Sequence, residues 1–165
     1  MELKEYIQLQ VTRGRSLLDS ALADTPEDLI NQKGGEHLNT IAAVYSHVIG
    51  GEDYFVNVAI LGNKSRLWES QGWAEKLGMS AEIGRNWGIT IPDLAAFQTY
   101  VATVRAATDA YVATVTPAEL DRLVQIFNNE RPVANVLTIL AIHTAGHGGE
   151  IATIKAALGM KGLPF

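Results

Sequence analysis

Apolar side chains recur at intervals of three and four through most of this chain, the spacing that lays one stripe along an α-helix. From Glu2 to about Leu22, Leu3, Ile7, Val11, Leu17, Leu18 and Leu22 form such a stripe. Thr25-Pro26-Glu27-Asp28 is a helix start, with a capping residue, proline at the first position and acids in the first turn. It predicts a short helical turn ending near Asn31, before Gly34-Gly35 breaks the chain. A second long helix is expected from about Glu36 to Leu61, with Ile41, Val44, Tyr45, Val48, Phe55 and Ala59 on its apolar face and Gly62-Asn63 as its stop.

Residues 63–91 break the rhythm. They hold all three tryptophans, Trp68, Trp73 and Trp87, with one short helix expected around Trp73 to Leu77. Connections this long in a compact domain tend to be lids or binding loops, although tryptophans also pin plain surface excursions to a core. Thr90-Ile91-Pro92-Asp93 then starts a third long helix to about Val115, with Leu94, Phe97, Val101, Val104, Thr108, Tyr111 and Val115 in register. Thr116 and Glu119 have capping-box spacing. Pro132 opens a last helix, from about Val133 to Leu158, closed by Gly159. No segment reads with the period of a strand. The expected fold is all-α: a four-helix bundle with short extra helical turns and one long connection between the second and third long helices.

Composition narrows the function. The 165 residues fit a single domain spanning 1–165. There is no cysteine, which excludes disulfides, thiolate metal sites and a cysteine nucleophile. Thirteen basic against 18 acidic residues give a net charge of −5 with no basic run, which argues against a nucleic-acid partner. The longest nearly apolar stretch, Val133 to Ile142, is shorter than the roughly 20 residues a membrane-spanning helix needs. Met1-Glu2-Leu3-Lys4-Glu5 lacks the order of a signal peptide, so a cytoplasmic location is expected.

The chemistry lies in four histidines, His37, His47, His143 and His147. His143 and His147 stand at i and i+4 in the last helix, about 40° apart around its axis, so both imidazoles project to one side. By itself such a pair more often means two histidines satisfied at an interhelix seam than two ligands of one ion. Gly146, Gly148 and Gly149 surround His147, each costing about 1 kcal/mol relative to alanine within a helix. That cost is explained by close approach of a neighbouring backbone or of a ligand. A third ligand has to come from another helix. His47, at the border of the second helix's apolar stripe, is preferred to His37, which lies beside Gly34-Gly35 where a solvated histidine is expected. Three neutral nitrogens would leave open positions for water or substrate, as catalytic sites do. Glu52 and Asp53 lie about 140° and −120° around the helix from His47 and are expected to be surface carboxylates rather than ligands.

These residues carry a resemblance. Tyr45-Ser46-His47-Val48-Ile49-Gly50-Gly51-Glu52-Asp53-Tyr54-Phe55, and the block from His143-Thr144-Ala145-Gly146-His147-Gly148-Gly149-Glu150-Ile151 to Leu158-Gly159-Met160-Lys161-Gly162-Leu163-Pro164-Phe165, are similar to the DinB-like (DinB/YfiT-type) family of small four-helix-bundle metalloenzymes. Leu67-Trp68 and Gly72-Trp73 extend the likeness over essentially the whole length. The resemblance implies a divalent metal, nickel or zinc, on His47, His143 and His147. It also implies a small-molecule reaction: transfer of a low-molecular-weight thiol, with hydrolysis as the alternative. A non-catalytic metal- or ligand-binding bundle is the reading from a different class. Glu150 is a candidate to orient a ligand imidazole or act as a base, Tyr54 to donate a hydrogen bond, and the tryptophans to wall the pocket. A homodimer is plausible for a bundle of this size.

Overall fold

The computed structural model describes residues 1–163, so the Pro164-Phe165 end of the terminal block lies outside the described residues. Helix α1 (Leu3–Leu22) is followed by the turn of α2 (Glu27–Ile30) and by α3 (Ile41–Asp53), which continues without a break into a π-helical stretch, Tyr54–Ile60. The connection carries α4 (Leu67–Ser70) and α5 (Trp73–Leu77). Helix α6 (Leu94–Val112), the turn of α7 (Pro117–Asp121), a hairpin of β1 (Leu123–Ile126) and β2 (Asn129–Pro132), and α8 (Val133–Ala157) complete the chain. The four long helices α1, α3 with its π-helical extension, α6 and α8 form the expected bundle.

The helix starts are those the sequence encodes. Thr40 accepts a hydrogen bond from the Ala43 amide, Asp93 from Ala96 and Thr116 from Glu119, each satisfying a donor that the first turn leaves unpaired. Helix α3 begins at Ile41 rather than Glu36 because residues ahead of it are drawn into an isolated bridge, Lys33 with Thr40. The hairpin is a departure from the sequence reading. Leu123 pairs with Pro132 and Ile126 with Asn129, closed by Phe127 and Asn128 with φ of 51° and 61°. Two successive positive φ values match the twist of a two-residue hairpin, normally written with Asn-Gly. Phenylalanine hides that signal.

Helices α1 and α8 run close together. A Cβ on Gly14 would stand 2.9 Å from the Ala141 carbonyl oxygen, and one on Gly148 within 3.1 Å of the Leu18 backbone. Backbone approach therefore accounts for Gly148. Gly146 and Gly149 have nothing within 4 Å of the same position.

Helix α3 is the centre of the molecule: of its 13 residues all but His47 and Gly51 are buried. That overturns the expectation for Glu52 and Asp53, which are 1% and 0% exposed. Their side of α3 faces the bundle interior. Arg15 of α1, itself buried, meets Glu52 at 2.5 Å and Asp109 at 2.7 Å. Asp53 accepts from the Leu67 amide (2.9 Å), the Trp68 amide (3.0 Å), the Tyr100 hydroxyl (2.7 Å) and the Asn57 amide group (3.0 Å). Buried carboxylates persist when paired and hydrogen-bonded in this way. Burial, followed by the Asp53 charge, pushes the Tyr100 hydroxyl far above its ordinary pKa, so it remains a donor. The tie also fixes where the long connection leaves α3: Trp68 is fully buried against Tyr100, with ring centroids 4.9 Å apart.

Removing one partner of the Arg15–Glu52 pair strands a buried charge. Arg15→Leu is expected to cost about 3 kcal/mol or more in urea unfolding, and Arg15→Met with Glu52→Leu to recover most of that loss.

Candidate metal centre

His47 projects from the exposed edge of α3 towards α8, and His143 and His147 project back from successive turns of α8. One ligand atom from each of the three lies within 4.8 Å of the others. His143 Nε2 and His47 Nε2 are 3.0 Å apart. His37 is exposed at the start of the chain leading to α3 and takes no part.

Two of the rings are held through their far nitrogens. His47 Nδ1 donates to the Gly84 carbonyl at 2.7 Å, and His147 Nδ1 to a Glu150 carboxylate oxygen at 2.6 Å. Placing the proton on Nδ1 leaves the Nε2 lone pair free, which is the tautomer a metal requires. Asn39 holds the other oxygen of Glu150 at 3.4 Å. Glu150 thus links the His147 ring to Asn39. Ring packing against Trp87, at a centroid distance of 4.5 Å, steadies His47 further.

His143 is fixed differently. Its Nδ1 is buried without a hydrogen-bond partner among the described residues. The ring stands edge-on to Phe55 at 5.5 Å and fills the space left by Gly51, where a Cβ would come within 3.0 Å of its Cε1. Neighbouring Gly50 does the corresponding work for His47. A Cβ there would lie 3.4 Å from Gly84 Cα, so the glycine lets the connection close on α3. Gly84 has φ +81°, a conformation that favours glycine and here serves a residue whose carbonyl faces His47. Gly50-Gly51 thus admits the loop on one side and an imidazole on the other.

Burial, reinforced by the charges of His147 and His47, pushes His143 down to about 4, and burial lowers His47 despite the Gly84 bond. Both rings are therefore neutral near pH 7. Three imidazole nitrogens converging without a thiolate are a set that suits a divalent transition metal.

The centre opens onto a cavity of about 480 Å³, lined by His47 and His143 at one side and by Tyr54, Phe55, Arg66, Arg85, Phe127 and Ile139 elsewhere. That volume lies within the range of small-molecule pockets. Tyr54 and Phe55 reach it at the transition from α-helix to the wider π-helical turn, a distortion frequent at functional sites. The tryptophans divide. Trp87 packs on His47 and Trp68 and Trp73 pack on Tyr100, and none of the three lines the cavity. Gly84, Asn39 and Phe127 are site residues that the sequence did not single out.

A four-helix bundle with three histidines from its second and fourth long helices defines the structural class. The sequence profile of the DinB superfamily matches residues 10–151, and the chain belongs to that superfamily. Its fold is similar to that of a conserved protein from Enterococcus faecalis (TM-score 0.79, 16% identity, covering 96% of this chain and 99% of that one). It is also similar to YfiT from Bacillus subtilis, described as a probable metal-dependent hydrolase with an unusual four-helix bundle topology (TM-score 0.65, 13% identity, covering 95% of this chain and 88% of that one). No curated protein matches the chain significantly. Among the described residues no helix is long and apolar enough to cross a membrane.

Two outcomes follow from this geometry. Unfolded histidine titrates near 6.5, above the value His143 and His47 hold when folded, so between those values the unfolded chain binds more protons. Stability of the metal-free protein is expected to fall as pH drops from about 6.5 towards 4, and His143→Gln to flatten that slope in urea titrations. Gly51→Ala is expected to displace the His143 ring and weaken metal affinity on the order of tenfold. Gly146→Ala, which meets nothing, should leave affinity unchanged while stabilising the helix by roughly 1 kcal/mol.

Proposed function

We propose that the protein is a metal-dependent enzyme acting on a small molecule, with His47, His143 and His147 as the ligands of one divalent ion, nickel or zinc. The observation that carries this reading is convergence: three ring nitrogens within 4.8 Å of one another, beside a cavity of about 480 Å³ rather than a sealed core. A closed structural site would favour the non-catalytic alternative.

When bound, the ion supplies Lewis acidity, which makes a water or a thiol nucleophilic near neutral pH. The chain's own residues do the rest. The Gly84 carbonyl and Glu150 hold protons at His47 Nδ1 and His147 Nδ1, so neither ring can turn. Because its oxygens are occupied by His147 and Asn39, Glu150 is a positioning residue more than a base. The Tyr54 hydroxyl has no partner among the described residues and lines the cavity, where it can donate to a substrate oxygen or sulfur. Phe55 and Phe127 present apolar walls, which lower the local dielectric and strengthen polar interactions with the reacting group.

Transfer of a low-molecular-weight thiol to an electrophile is the first reaction in this reading. Hydrolysis is the second, favoured by the description of YfiT. A cytoplasmic homodimer belongs to the same reading, supported by Tyr6 and Ile142, apolar side chains 53% and 67% exposed along a groove between α1 and α8.

Alanine at His47, His143 or His147, one at a time, should abolish stoichiometric metal measured by plasma mass spectrometry while leaving the helical circular dichroism intact. Full metal retention by His47→Ala would remove that residue from the set. Turnover of electrophiles by metal-loaded protein should require an added thiol. Equal turnover in its absence would select hydrolysis.

A further inference from the structure

The cavity beside the histidines is chemically lopsided. Two arginines line it, Arg66 and the exposed Arg85, and they are not equivalent. Arg66 is committed: it forms a two-pronged ion pair with Glu69 and donates through Nη1 to the Ile83 carbonyl at 2.7 Å. Arg85 has no side-chain hydrogen bond and no ion pair among the described residues, although Glu82 is three residues away and shares a neighbouring hollow with it. A chain of net charge −5 thus leaves one arginine on the lining of this chamber without an ion-pair partner among the described residues. Across the same chamber stand Tyr54, Phe55 and Phe127.

Phe127 is unusual in its own right. It holds φ 51° at the hairpin tip, where a bulky side chain is strained, and it is 62% exposed. Neither stability nor turn chemistry calls for phenylalanine there. Its ring nevertheless lies over the site, near-parallel to Tyr54 at 6.3 Å and edge-on to Phe55 at 6.0 Å.

We propose that the chamber selects substrates with an anionic group attached to an apolar or aromatic body, the anion held by Arg85 and the body packed against Phe127, Tyr54 and Phe55. The reactive end then points to the histidines. This specificity rests on the metal-dependent reading above, with Arg85 and Phe127 as the residues that determine it.

The probe is 3-phenylpropane-1-sulfonate, whose sulfonate is a poor metal ligand, compared with the neutral 3-phenylpropyl methyl sulfone. Binding to the 165-residue chain as purified is followed by calorimetry, with metal content measured on the same samples. The sulfonate is expected to bind about tenfold more tightly than the sulfone, the magnitude of one charge-assisted contact. Arg85→Gln should erase that preference without changing metal content, and Arg85→Lys should restore part of it. Phe127→Asn, which suits the turn, should weaken both probes alike without lowering the unfolding midpoint. Equal binding of the two probes, or a preference that survives Arg85→Gln, would overturn the proposal. Full metal occupancy alongside such a result would leave the three-histidine reading standing. A preserved preference in a protein whose histidine variants keep their metal would retain the pocket and discard the centre.

Discussion

A single hydrogen bond, from His47 Nδ1 to the Gly84 carbonyl, sets how the imidazole of α3 meets the two of α8. Without it the His47 imidazole would be held by ring packing against Trp87 alone, and its tautomer would be undetermined. With it, the proton sits on the loop side and the lone pair faces His143, 3.0 Å away. The bond joins α3 to a stretch of the connection whose Ile83 is buried in the same core cluster. Gly50 must lack a Cβ for Gly84 to approach, and Gly84 must accept a positive φ. The connection is fastened at its near end by Asp53, whose carboxylate takes the amides of Leu67 and Trp68, and at its far end by His47. Helix α3 thereby carries both fastenings on different faces: a carboxylate turned into the core and an imidazole turned towards α8.

The three imidazoles are secured in three ways: by a backbone carbonyl, by a carboxylate and by packing. The difference has consequences for what can be altered. Hydrogen-bonded rings depend on donors and acceptors whose loss frees a torsion, whereas His143 depends on the volume beside it. The low affinity of its ring for protons comes from the same confinement that holds it in place, since burial penalises the cation. A site open on one side is what distinguishes a reactive metal centre from a closed structural one.

Much of this was legible in the chain. The long helices follow from threes-and-fours periodicity and from Thr116, Asp93 and the Pro-initiated turns. The i, i+4 spacing of His143 and His147 fixed their common direction, and His47 was separable from His37 by its place beside an apolar stripe. What was hidden depended on partners distant in sequence. Glu52 and Asp53 look like surface acids because nothing local reveals Arg15, Tyr100 or the amides of α4. Gly84 is one glycine among several in a loop, and only the fold shows that its carbonyl meets a ring. The hairpin escaped because four-residue strands offer little periodicity and Phe127 occupies a turn position where asparagine or glycine is the usual sign. The widened turn at Tyr54–Ile60 has no sequence signature, since it alters hydrogen-bond register without changing composition.

X-ray absorption at the metal edge of the loaded protein tests the centre most directly, because it counts neighbours around the ion. The arrangement predicts three imidazole rings at about 2.0–2.1 Å, with any remaining shell made up of light oxygen or sulfur scatterers not supplied by the protein. Two imidazoles or fewer, or a fourth protein ligand completing a tetrahedron, would contradict it.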